Sequence, residues 1–149
     1  MLEKSAAGIS EHRLKKAKGL LEQAEYLMNN QMYDGSINRS YYAIFNAIRS
    51  LLSLAKLDSK KHTGMLSFFD RYFVKTGIFE KRFSEIAHLA FHSRQDFDYE
   101  DFVIPTEKDA LLQLQNARQL IAEVEAKQNK FISGELNLPE TPEQSGDDS

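Results

Sequence analysis

Ile37, Tyr41, Ile44, Ile48, Leu51 and Ala55 follow one another at steps of four, three, four, three and four. A helix turns 100° per residue, so this spacing lays all six on one stripe, whereas a strand would need a period of two. No turn signal interrupts residues 36–57, a run far longer than the roughly 3–10 residues of most strands. The cluster Tyr41-Tyr42-Ala43-Ile44-Phe45, strand-favouring by residue type, therefore belongs to a helix. A continuous apolar stripe of this length must be buried against other elements, and their character follows from the rest of the chain.

Proline inside a helix costs about 3 kcal/mol, and all three prolines come late, at positions 105, 139 and 142. The first 104 residues are free to be helical. A first helix is expected to start near Ser10 as N-cap and to end at Asn29-Asn30, with Leu14, Ala17, Leu21, Ala24 and Met28 inward and Gly19 tolerated. The second begins at Asp34. Lys56–Thr63 reads as a loop, followed by a shorter helix with Met65, Leu66, Phe69, Tyr72 and Phe73, stopped by Gly77. A fourth helix from about Phe79 carries Phe83, Ile86, Ala87, Ala90 and Phe91 and gives way near Arg94 to an acidic loop, residues 96–101. Thr106 with Asp109 three residues on predicts a capping box, opening a fifth helix through Leu111, Leu114, Ala117, Ile121 and Val124 to about Phe131. Short connections then favour an all-α, up-and-down antiparallel bundle of four to five helices over residues 1–132. Residues 133–149 are expected to form an acidic, disordered tail.

At 149 residues the chain is long enough for one core, and too short for two comfortable domains. It has no cysteine, which removes disulfides, thiolate metal sites and a Cys nucleophile. No apolar run reaches membrane-spanning length and the start lacks the apolar stretch of a secretion signal, so a soluble cytoplasmic protein without membrane contact is expected. The net charge of −3 is uneven: residues 133–149 hold five acids and no base, leaving 19 basic against 17 acidic groups before them. Near-neutrality argues against a protein devoted to gripping duplex phosphates, so any RNA contact must be local.

On the second helix Arg39, Tyr42, Asn46 and Arg49 lie away from the Ile37 stripe and cannot share the core with it. They form either a solvated polar face or, because Phe45 and Leu52 flank Tyr42, a face covered by a second subunit. His88 and His92 share a helical face with Glu85 and Asp96, a spacing compatible with metal. The second half of a di-iron signature is missing, so no metal site and no cofactor are expected. Arg94, Asp96, Asp98 and Tyr99 form a polar and aromatic cluster. Arg94 either neutralises the neighbouring acids or offers a phosphate contact beside a ring that can meet a base. His62, in Lys60-Lys61-His62-Thr63-Gly64, either caps the third helix or faces a partner, and the lysines beside it are either a local phosphate-attracting group or part of a solvated loop. Arg13, Lys15, Lys16 and Lys18 are interleaved around the first helix and form no single stripe. No Ser-His-Asp set or phosphate-binding glycine loop stands out.

The run Asn38-Arg39-Ser40-Tyr41-Tyr42-Ala43-Ile44-Phe45-Asn46-Ala47 resembles the second-helix signature of HEPN-domain proteins. Lys61-His62-Thr63-Gly64, Phe73-Val74-Lys75-Thr76-Gly77 and Arg94-Gln95-Asp96-Phe97-Asp98-Tyr99 are similar to later segments of small stand-alone HEPN proteins, in the same order. The likeness covers about residues 10–131. It implies a helical bundle, commonly a homodimer, often paired with a minimal nucleotidyltransferase as a toxin-antitoxin system. In catalytic members an Arg-x4-6-His motif cleaves RNA without metal. Here Arg94 is followed five residues on by Tyr99, a poor base at neutral pH, and Arg39 by Asn46 seven on. Arg82 and His88 match the spacing but precede the Arg94 segment. The expectation is therefore a dimeric module binding RNA, a nucleotide or a nucleotidyltransferase through Arg39, Tyr42, Asn46, His62, Arg94, Asp96 and Tyr99. The alternative is a metal-independent endoribonuclease using Arg94 and Tyr99 or another base.

Overall fold

A computed structural model describes residues 4–99 and 104–142, with side chains for all of these but 97–99. The described residues form five α-helices and no strand: α1 (Lys4–Asn29), α2 (Tyr33–Leu54), α3 (His62–Phe69), α4 (Lys81–Tyr99) and α5 (Glu107–Ser133), with a π-helical turn, Asp70–Val74, extending α3. None of these helices is long and apolar enough to cross a membrane.

The predicted stripe on α2 is the centre of the core, with Ile37, Tyr41, Ile44, Ile48, Leu51 and Ala55 all buried. A second flank of α2, Ser36, Ser40, Ala43, Ala47 and Ser50, is also buried. Small side chains there let α1 approach closely, and two hydroxyls fix the pairing. Ser36 Oγ donates to the Ala24 carbonyl at 2.8 Å and Ser10 Oγ to the Ser50 carbonyl at 2.6 Å. Those contacts run α2 antiparallel to α1. Gln128 Nε2 donates to Ser10 Oγ at 2.9 Å and Arg118 pairs with Glu25 at 2.9 Å, which sets α5 antiparallel to α1. Arg82 to Gln119 and Gln113 to Ser93 then set α4 antiparallel to α5, completing an up-and-down order that α3 bridges.

Several expected boundaries move. Helix α1 starts six residues before Ser10, and Ser10, expected as an N-cap, is a fully buried polar link between three helices. Phe79 does not open α4. Its N–H donates to the Phe73 carbonyl at 2.8 Å, and its ring meets Phe69, Phe73 and Phe83 edge to face. Gly77, with φ of 84°, supplies the left-handed turn that makes this return possible. The acidic loop expected after Arg94 is helical as far as Tyr99, with Asp96 exposed on the helix surface, and residues 100 and 101 lie outside the described residues. The predicted capping box is present: Thr106 Oγ1 accepts from the Asp109 N–H at 3.2 Å and Asp109 Oδ2 accepts from the Thr106 N–H at 2.9 Å. Leu111, expected in the core, is exposed, and Ala110 takes the inward position.

Asp70, the first residue of the π-helical turn, accepts hydrogen bonds from Ser84 Oγ at 2.6 Å and His88 Nε2 at 2.7 Å. The carboxylate stands between hydroxyl and imidazole, so this trio clamps α4 to the turn and does not activate the serine. Of the expected acidic tail, residues 143–149 lie outside the described residues. Before them Gly134 closes α5 in the left-handed conformation, and Leu136 and Leu138 pack against the core.

Candidate functional site

Three separate segments meet beside α2. Tyr42, Asn46 and Arg49 come from α2 itself, one to two turns apart on the side away from the Ile37 stripe. His62 is the first residue of α3, and Arg94 reaches over from α4. The Arg94 guanidinium lies 5.0 Å from the Tyr41 ring centroid and 5.4 Å from that of Tyr42, and its Nη2 donates to the Tyr42 hydroxyl at 3.1 Å. A guanidinium held against two rings is attracted by their negative faces, each contact contributing about 0.5–2 kcal/mol. His62 Nδ1 shares a hydrogen bond with the Tyr41 hydroxyl, and its ring lies 4.0 Å from that of Phe45.

Tyr42, Phe45, Asn46, Arg49 and His62 line an open cleft of about 390 Å3 together with Lys16, Ser59 and Lys60, and Arg94 touches that lining through the Tyr42 hydroxyl. Its rim depends on a glycine. A Cβ on Gly64 would stand 2.1 Å from Ser59 Oγ, so the absence of a side chain lets the loop before α3 settle against the helix. Ser59 holds that loop by accepting from the Lys61 N–H and donating to the Lys61 carbonyl. Asn46 is buried, 8% exposed, and its Nδ2 donates to the Tyr42 carbonyl at 2.8 Å. Of the face expected to be either solvated or covered by a second subunit, Asn46 is buried and Tyr42 half-buried within the chain, with His62 and Arg94 against the Tyr42 ring.

Electrostatics in the cleft are one-sided. The pKa of His62 is lowered, first by burial and then by the positive charges of Arg94 and Arg49. That of Arg13, whose Nη1 donates to the Arg49 carbonyl, is lowered by burial and by Arg49, with Asp58 acting in the opposite sense. For His62 the folded state binds its proton less readily than the unfolded chain. Its contribution to stability is therefore fully present above the unfolded value near 6.5 and is lost as pH falls toward the folded value. Melting temperatures measured from pH 7.5 down to about 5 are expected to fall for the wild type and to fall less for His62→Gln. Equal slopes would show that His62 titrates as it does in the unfolded chain.

Of the residues expected to form the site, the fold brings together Tyr42, Asn46, His62 and Arg94. Arg39 turns along the outer surface to Gln23 Oε1 at 3.3 Å and Asn38 Oδ1 at 3.2 Å. Asp96 is exposed, and the side chain of Tyr99 lies outside the described residues. The sequence places Arg49 on one face with Tyr42 and Asn46, and Lys60 beside His62, without bringing either into the site; it leaves Lys16 out and gives Tyr41 to the core alone. Their convergence is tertiary, joining residues from α1, α2 and the loop before α3, and no local spacing announces it. His88, considered with His92 for metal, is turned to Asp70, and the described residues contain no group of three or more His, Asp or Glu suited to a metal ion.

Comparison with known proteins bears on this geometry. A family model described as "HEPN domain" matches residues 10–127. A protein of Methanocaldococcus jannaschii named as a candidate toxin is 34% identical over 90 residues, 60% of this chain and 61% of that protein. The UPF0332 protein of Thermotoga maritima is 35% identical over 95 residues, 64% of this chain and 72% of its own length. A second M. jannaschii protein with a candidate toxin name is 36% identical over 90 residues, 60% and 66% of the two chains. The chain therefore spans about three fifths to seven tenths of these relatives.

Proposed function

Because this chain belongs to the HEPN domain family, we propose that it is a toxin-like protein whose cleft beside α2 binds single-stranded RNA. The observation that carries the reading is the distribution of unpaired charge. Lys16, Arg49 and Lys60 line one cleft with Tyr42 and His62, and none of the three cations forms an ion pair among the described residues. On the other side of α1, cations are matched: Lys18 pairs with Glu125 and Arg118 with Glu25. Uncompensated cations beside aromatic rings suit a backbone phosphate and an unstacked base. The toxin names of two relatives support the same reading. A homodimer and a nucleotidyltransferase partner, implied by the resemblance, belong to this proposal.

A specific observation favours RNA cleavage as a second reading. The linear motif lacks a histidine after Arg94, yet His62 meets Arg94 in space through their shared contacts with Tyr41. If His62 Nδ1–H donates to the Tyr41 hydroxyl, Nε2 is bare and can take the proton of a ribose 2′-hydroxyl. The 2′-oxygen then bonds to phosphorus, the bond to the 5′-oxygen breaks, that oxygen takes a proton from solvent water as it leaves, and the protonated His62 returns its proton to solvent. The products are a 2′,3′-cyclic phosphate and a 5′-hydroxyl, with Arg94 beside the developing negative charge.

Titration of a fluorescently labelled 12-nucleotide RNA in EDTA tests both readings at once. Binding is expected to weaken linearly with log salt, by about 0.7 per phosphate contact. Arg49→Ala should reduce that slope by roughly one contact and the affinity by about five-fold or more. No binding at about 50 mM salt would overturn the RNA reading. Cleavage lost in His62→Ala with binding retained favours catalysis, and intact RNA on the wild type leaves binding alone.

A further inference from the structure

We propose a second nucleotide subsite on the outer face of the α1–α2 pair, where the base of a flanking nucleotide stacks on Tyr26 and its phosphate meets Arg39. This rests on the reading of the neighbouring cleft as an RNA site.

Tyr26 is the first observation. It is 67% exposed although aromatic, and none of its ring contacts with other aromatic residues falls within stacking distance among the described residues. It borders a shallow cleft of about 470 Å3 together with Gly19, Gln23 and Arg39. Arg39 is the second. Its guanidinium is held by two neutral amide oxygens, Gln23 Oε1 and Asn38 Oδ1, and enters no ion pair among the described residues. It is thus oriented without being neutralised, the state that best meets an anion. Gly19 is the third. A mid-helix glycine costs about 0.5–1 kcal/mol relative to alanine, and a Cβ here would meet nothing within 4 Å. Internal packing does not require this glycine, and it leaves the floor of the cleft without a side chain.

The two clefts are continuous in direction. Lys16 lines the first, Gly19, Gln23 and Tyr26 the second, and at 100° per residue these four share one face of α1. From Lys16 to Tyr26 is about 15 Å along the helix, so a strand seated at His62 and Arg49 and leaving along α1 passes Arg39 and then Tyr26. Glu22 is the one acid lining the second cleft, and it places the phosphate on the Arg39 side.

The chain has no tryptophan, so Tyr26→Trp provides a single fluorescent reporter at an exposed position. With the 12-nucleotide RNA, its emission is expected to be quenched on binding, because a stacked base quenches an indole. Tyr26→Ala and Arg39→Gln should each weaken binding by about five-fold or more, as stacking on an aromatic residue typically does. Loss of affinity in Arg49→Ala, with no quenching and no effect of Tyr26→Ala, overturns the second subsite while the first cleft stands. Absence of binding by the wild type removes both. Should Tyr26→Ala instead change the sedimentation of the free protein and leave RNA binding intact, the face is a contact between copies and the subsite is wrong.

Discussion

Replacing Arg94 by alanine is expected to lower RNA affinity at least ten-fold and to abolish any cleavage, while moving the melting temperature by about 5 °C or less. The guanidinium lies against two tyrosine rings and donates to one hydroxyl. It is thus held in one orientation against Tyr42, which lines the cleft, and under the RNA reading a phosphate that reaches it would gain charge-assisted hydrogen bonds worth about 1.5–3 kcal/mol, or roughly 10- to 100-fold. The stability lost is smaller, because the rings it covers are anchored independently: Tyr41 is buried in the core and bonded to His62. Arg94→Lys should bind nearly as poorly as Arg94→Ala, since an ammonium cannot lie flat on a ring and present a planar fork to phosphate. RNA titration beside a circular dichroism melt separates the two effects. Wild-type affinity in Arg94→Ala would make the Arg–Tyr contact a structural strut.

The largest effect on stability is expected at Phe79, outside every helix. Phe79→Ala should cost about 3–5 kcal/mol and lower the melting temperature by about 10 °C or more, read from urea unfolding and thermal melts. The ring is 1% exposed and edge to face with three other phenylalanines. Lys127 Nζ approaches its face at 5.9 Å. Removing it empties the point where the π-helical turn, α4 and α5 meet, and the backbone there is tied to Phe73 and cannot collapse freely into the void. A loss under about 1 kcal/mol would mean that the neighbouring rings refill the space.

The fold was legible in the sequence wherever burial follows a helical period. The six-residue stripe on α2 and the inward residues of α3 are buried as their spacing predicts, and the Thr106–Asp109 box is a local hydrogen-bond pattern that sequence spacing can encode. Legibility failed where a residue's partner is far along the chain. Ser10 looks like a helix start because serine favours N-caps, yet its hydroxyl links residues 50 and 128. Leu111 looks like core because leucine is apolar, yet rotation of α5 turns it to solvent. At the site, Tyr42, Asn46, His62 and Arg94 were named as candidates. What spacing could not supply was that His62 would reach Arg94 across the Tyr41 ring, or that Lys16 and Lys60 would meet Arg49.

That same remoteness gives the site a timing. The Arg94–Tyr42 bond spans 52 positions, while the hydroxyl links that pair α1 with α2 begin at a separation of 12. Contacts between near neighbours in sequence close sooner than distant ones. A chain with α1 and α2 paired but α4 still undocked would already carry Lys16, Arg39, Arg49 and the Tyr26 ring, yet lack its clamp. Such an intermediate could hold a nucleic acid loosely and could not act on it. The clamp itself would thus arrive only with the docking of α4.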